Sequence, residues 1–221
     1  MSDPPDYSLA LKYGITDRAS GIAKATEARV RMTDLAARVF GDKQELDVPR
    51  MTLMSLLTRA QAFHDGTLDA ARSDNPFASF TLLRSYAENA AILIRVSEKQ
   101  GEIRPLYPGA PVEQKFSIGK LLAYAENGSG GFAGIYSQLS GFAHPSAATA
   151  LSGWRTTDEH SLVSWKSTPR FKTEGDFMLA CVWLIELADA NAQLWALTWT
   201  KYFGPNSEWD APGWPETGLS R

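Results

Sequence analysis

Residues 176–203, DFMLACVWLIELADANAQLWALTWTKYF, decide the fold class. The stretch is long and apolar over most of its circumference, yet Glu186, Asp189, Asn191 and Gln193 interrupt its middle. Charges at that depth are costly in lipid, so the reading is a long, largely buried helix of a protein rather than a membrane span. It begins near Thr173 and stops before Gly204. A helix of this length needs other helices to cover it, and the rest of the chain supplies them.

Working backwards, apolar and polar residues alternate with helical period over 18–40, 50–73 and 76–100. Asn75-Pro76 reads as a cap followed by a first-turn proline. Gly41 and Gly101 read as stop signals. Two shorter helices are expected at about 112–126 and 132–143, separated by Asn127-Gly128-Ser129-Gly130-Gly131. The connector RPLYPGAPV carries Pro105, Pro108 and Pro111 and is expected to be extended. Between Pro145 and the last helix, Leu151–Arg155 and Ser161–Lys166 alternate like a hairpin around a polar turn. The expected fold is therefore mainly α: one helical bundle of about six helices over 18–203, with a small β-hairpin at about 150–166 before the last helix. Residues 1–17 read as a loose arm. Residues 204–221, with Trp209 and Trp214, read as a tail that partly docks on the body.

Composition narrows the function. The chain has 221 residues, 44% of them hydrophobic, which suffices for one sizeable core. A formal net charge of −3 gives no sign of the basic face that a duplex DNA binder needs. The one cysteine, Cys181, allows no internal disulfide and suits a reducing, cytoplasmic setting. The N-terminus lacks the basic and apolar regions of a signal peptide. No two histidines stand at metal-ligand spacing, and no cofactor motif is present.

The candidate chemistry lies in two places. In the third long helix, Arg84, Glu88, Ala91 and Arg95 fall within about 60° of one another on an otherwise apolar surface. This stripe has three readings: an exposed intrahelical pair, a network with Glu186, Asp189 and Gln193 of the last helix, or the lining of a site. The second place is YSQLSGFAHP, 136–145, where Ser137, Ser140 and His144 share one face. His144 either holds a helix end or acts as an acid–base group near neutral pH. No Gly-x-Ser-x-Gly elbow accompanies Ser140, so serine hydrolase chemistry lacks its usual support.

Two resemblances follow from these residues. Arg84 and Glu88 in LLRSYAENA, with Ser140 and His144 in YSQLSGFAHPS, resemble the Arg-x-x-x-Glu and Ser-x-x-x-His helices of a group of uncharacterised bacterial helical proteins. That likeness spans about 77–203 and implies architecture alone. Arginine, four residues, then histidine is also similar to the pattern of the HEPN superfamily of defence and toxin ribonucleases. Here Arg59–His64 and Arg155–His160 fit it. The HEPN resemblance implies a metal-independent ribonuclease, with RNA as partner and a role in bacterial or phage defence. A histidine would move the proton of the 2′-hydroxyl or the leaving oxygen, and an arginine would stabilise phosphate charge. The expected catalytic set is His144, Ser140, Arg84 and Glu88, with Arg59 and His64 as the alternative pair. The competing expectation is a non-catalytic helical module that binds a protein or itself as a homo-oligomer. Seven tryptophans favour it, because Trp is a frequent interface anchor. A small-molecule pocket lined by the polar stripe is a third.

Overall fold

The computed structural model describes residues 8–40, 47–111, 117–129, 131–143, 154–157, 162–165 and 168–204. The fold is mainly α. Seven α-helices follow in chain order: α1 (Ser8–Lys12), α2 (Arg18–Phe40), α3 (Val48–Arg72), α4 (Pro76–Glu98), α5 (Ile118–Ser129), α6 (Phe132–Ala143) and α7 (Glu174–Phe203). A 3-10 helix over Gln100–Leu106 makes eight helices among the described residues, rather than about six. Two short segments, β1 (Trp154–Thr157) and β2 (Leu162–Trp165), pair antiparallel with Trp154 opposite Trp165. The residues joining them, and the C-terminal tail expected to dock through Trp209 and Trp214, lie outside the described residues.

Local signals explain most boundaries. Asp47 caps α3 by accepting from the Arg50 amide at 2.8 Å, and Asn75 caps α4 by accepting from Ala78 at 3.1 Å. Each cap satisfies one of the orphan donors of a first turn. Thr173 and Asp176 form a reciprocal capping box at the start of α7. Between α3 and α4 the chain turns through Asp74, whose φ of 56° is left-handed, a conformation aspartate tolerates. The Asp74 carboxylate receives Arg18 at 2.8 Å and the Phe171 amide at 3.3 Å. One turn thus fixes the starts of α2 and α7 as well as that of α4.

Two expectations are corrected. Residues 8–12 are helical, not a loose arm, and Ala10 and Ile15 are buried. The Tyr13 hydroxyl donates to Glu186 at 2.8 Å, which ties this region to α7. The proline-rich connector also begins as a 3-10 helix rather than extended chain, with Ile103 buried beneath it. Pro105 is tolerated there because a short i→i+3 helix leaves few amides to satisfy.

α4 is the central helix, in contact with α3, α5, α6, α7 and the 3-10 segment, and α7 packs on α1, α2, α3 and α4. α2 approaches α7 closely: a Cβ at Gly21 would stand 3.1 Å from Cys181 Sγ. Burial pushes that thiol up to about 12, so it stays protonated and packs as a small apolar group. Where α3, α4 and α7 meet, polar groups pair inside the core. Asn89 Nδ2 donates to Asn191 Oδ1 at 2.8 Å, Asn191 Nδ2 donates to Leu187 O at 2.8 Å, and Trp195 Nε1 donates to Leu53 O at 2.6 Å. These bonds fix the register of the three helices, because a slipped helix would leave buried amides unpaired. α7 is the one described helix long and apolar enough to cross a membrane, and 61% of its most apolar window is buried inside the protein.

Candidate functional site

The α4 stripe and the first residue of the YSQLSGFAHP segment come together. Arg84 Nε donates to the Tyr136 hydroxyl at 2.8 Å, and that hydroxyl donates to Glu88 Oε1 at 2.8 Å. Arg84 also stands 3.4 Å from Glu88 directly, and its guanidinium lies 5.2 Å from the Tyr136 ring centroid. The side chains of Arg84 and Glu88 are 24% and 17% exposed, so the pair is neither an open surface ion pair nor a sealed one. Burial raises the Tyr136 pKa, and the Glu88 carboxylate beside it raises it further, while Arg84 opposes both. A phenol held protonated between a cation and a carboxylate is a donor that locks α6 to α4. It is not a nucleophile at neutral pH. Tyr136 itself went unflagged in the sequence, although its spacing puts it on the buried side of α6 with Leu139.

Ser140 Oγ is sealed from solvent with no hydrogen-bond partner among the described residues. His144 and His160, with Arg155 as a side chain, lie outside the described residues, so the Ser140–His144 pairing and the Arg155–His160 spacing have no geometry to report.

The alternative pair separates. His64 is 0% exposed and its Nε2 donates to the Ala25 carbonyl at 2.9 Å. Burial lowers its pKa, which keeps the imidazole neutral, and Nδ1 has no partner among the described residues. Arg59 points outward with its guanidinium 5.0 Å from the Phe63 ring, beside a small hollow of about 270 Å³. Five residues along a helix turn about 140°, so Arg59 and His64 occupy different faces. His64 secures α3 to α2 and is closed to solvent. Of the three readings of the stripe, the network with Glu186, Asp189 and Gln193 shows no bond among the described residues: Glu186 receives Tyr13, and Asp189 receives Arg31. Arg95 instead donates to Glu102 of the 3-10 helix at 2.8 Å.

A recess lies elsewhere, and sequence reading missed it. A half-open groove of about 760 Å³ runs between α4 and α7, with the start of α6 as one wall. Its α7 side presents Trp183, Leu187, Ala190, Leu194, Leu197 and Lys201, and its α4 side Ala87, Ala90, Ile94 and Ser97. The steps are four, three, four, three, four on α7 and three, four, three on α4. That is the spacing of a helix face that accepts another helix. Leu197 is 58% exposed and Ile135, on the α6 wall, 36%. The signal was legible as a 3.5-residue repeat along 183–201, but an all-round apolar helix hides which of its stripes is left open.

Among the described residues no group of three or more histidine, cysteine, aspartate or glutamate side chains is placed to hold a metal ion. Compared with protein-family models, curated protein sequences and solved structures, the chain matches none.

Proposed function

We propose that the chain is a non-catalytic helical interaction module whose working surface is the α4–α7 groove. The observation that carries this reading is the groove itself: about 760 Å³, apolar, half-open, and lined at helix-pairing intervals with a 58%-exposed leucine on its rim. Exposed apolar surface of that shape is where proteins dock, since covering it removes hydrocarbon from water at about 25 cal/mol per Å². The Arg84–Tyr136–Glu88 cluster then has a supporting role, holding α6 against α4 so that Ile135 and Phe132 form the groove's wall. A titration of dilute native protein with an environment-sensitive apolar dye tests the reading. Saturable binding that Leu194→Glu or Leu197→Glu removes is expected. Native protein that takes no dye would overturn it.

A second reading is a HEPN-like, metal-independent ribonuclease acting through His144 with Ser140, Arg84 and Glu88. The observation in its favour is that Tyr136, on the helix that leads to His144, bonds to both Arg84 and Glu88. It requires that the protein cut RNA in the presence of a chelator and that His144→Ala abolish the cutting. Intact RNA after incubation with the wild-type chain ends this reading.

A further inference from the structure

The α4–α7 groove carries one pattern that goes beyond exposure. α4 and α7 run parallel, because Asn89 meets Asn191 near their middles and Ser97 O receives Lys201 Nζ at 2.6 Å near their ends. The groove along α7 from Trp183 to Lys201 is about 27 Å long. Its charged groups lie towards the two ends, with the uncharged Gln193 between them. Glu186 lies near the first end and Lys201, beside Ser97 and Glu98, at the other, about 22 Å away along the helix. Neither Glu186 nor Lys201 has an ion-pair partner among the described residues: Glu186 accepts from the Tyr13 hydroxyl, and Lys201 donates to a carbonyl. Glu98, at the Lys201 end, is engaged by the Tyr124 hydroxyl.

This arrangement is self-complementary under a two-fold rotation. Glu186 precedes Gln193 by seven residues, and Lys201 follows Leu194 by seven. An axis passing between Gln193 and Leu194, perpendicular to α7, therefore brings Glu186 of one chain to the partner's Lys201, and does so twice. The same operation sets the exposed Leu197 opposite the partner's Ala190, a large side chain over a small one. Ala87 and Ala90 of α4, both buried under the groove, deepen the recess that receives it. Isologous contacts of this kind are the commonest in homo-oligomers, since one patch serves both partners.

We propose that the groove's occupant is a second copy of this chain, docked with the two α7 helices antiparallel and with reciprocal Glu186–Lys201 pairs. This rests on the groove being an interaction surface, as argued above. The charges set orientation: a parallel arrangement would place Glu186 against Glu186 and Lys201 against Lys201, and like-charge contacts across an interface are penalised strongly. The leucine and alanine layers supply the burial, and the two ion pairs select the register.

The test is a charge exchange read as dissociation constants by sedimentation equilibrium on the full chain. Glu186→Lys and Lys201→Glu are made separately. Alone, each variant juxtaposes two like-charged contacts and should dimerise at least about tenfold more weakly than wild type. Mixed in equal amounts, the two should form a heterodimer that regains most of the wild-type affinity, because each contact again joins a lysine to a glutamate. Recovery on mixing cannot come from a variant that fails to fold, and circular dichroism of each variant alone guards the comparison. A wild-type chain that stays a single chain at all concentrations overturns the proposal; the dye titration then decides separately whether the groove binds anything. A dimer that neither reversal weakens also overturns it, and if Leu197→Glu breaks that dimer the groove reading survives without this register.

Discussion

α7 has two faces with the same chemistry and different fates. On one, Val182, Asn191 and Trp195 are closed under α2, α3 and α4, with Asn191 and the Trp195 indole both hydrogen-bonded. On the other, Ala190, Leu194 and Leu197 line an open groove. The apolar content of the two is similar, but among the described residues only the first is fully covered. A helix that is hydrophobic all round is therefore not simply a core helix. The part that this chain's own helices leave uncovered is a surface in need of a partner, and the distinction is made by neighbours rather than by composition.

Substitutions on the two faces should behave differently. The largest effect is expected inside: Trp195→Ala removes a fully buried ring and its bond to Leu53, and should cost about 3–5 kcal/mol, seen as a fall in the urea midpoint. Asn191→Ala comes next. It leaves the Asn89 amide without its 2.8 Å acceptor in the core, at about 1–3 kcal/mol. A cost near zero would show that the Asn89–Asn191 bond does not set the register of α4 and α7.

Tyr136→Phe ranks third. It removes the hydroxyl between Arg84 and Glu88 but keeps the ring, so the loss should be about 1 kcal/mol, with dye binding weakened as the α6 wall loosens. Full stability and full dye binding in this variant would remove the cluster from any role in shaping the groove.

The smallest effect concerns pH. His64 has a folded-state pKa below the free imidazole value of 6.5 because burial disfavours the cation. The unfolded chain then binds the extra proton first, so stability from the neutral ring is complete above about pH 6.5 and is lost as pH falls below it, until the folded-state pKa is reached. Urea midpoints measured across that range should drop on acidification, and His64→Gln should flatten the His64 part of the drop. An unchanged profile in the variant would show that the buried imidazole is not what titrates.

How much of this could be read from the chain alone varies by element. α2, α3, α4, α6 and α7 were legible from their periods and, for α4, from the Asn75-Pro76 start, whereas the Asp47 cap and the Thr173–Asp176 box emerged only with the structure. α1 was not, because a five-residue helix has no period to read and is held by Ala10, Ile15 and the Tyr13–Glu186 bond, which are tertiary contacts. Arg84 and Glu88 were found through their stripe, whereas Tyr136 was missed because its hydroxyl matters only once α6 is laid on α4. His64 is the converse case. Its spacing from Arg59 says nothing of depth, and depth is what makes it structural. The groove escaped notice because its lining residues look like core residues until the covering helices are counted.

The most direct test is the thermal unfolding of Leu197→Glu in dilute protein, set beside Leu184→Glu on the closed face. Leu184 is 1% exposed, and a carboxylate there should collapse the fold. Leu197→Glu should unfold at the wild-type temperature and lose only dye binding and self-association. If instead it lowers the midpoint as far as Leu184→Glu does, then the outer face of α7 is part of the packed core, and the groove is not an interaction surface.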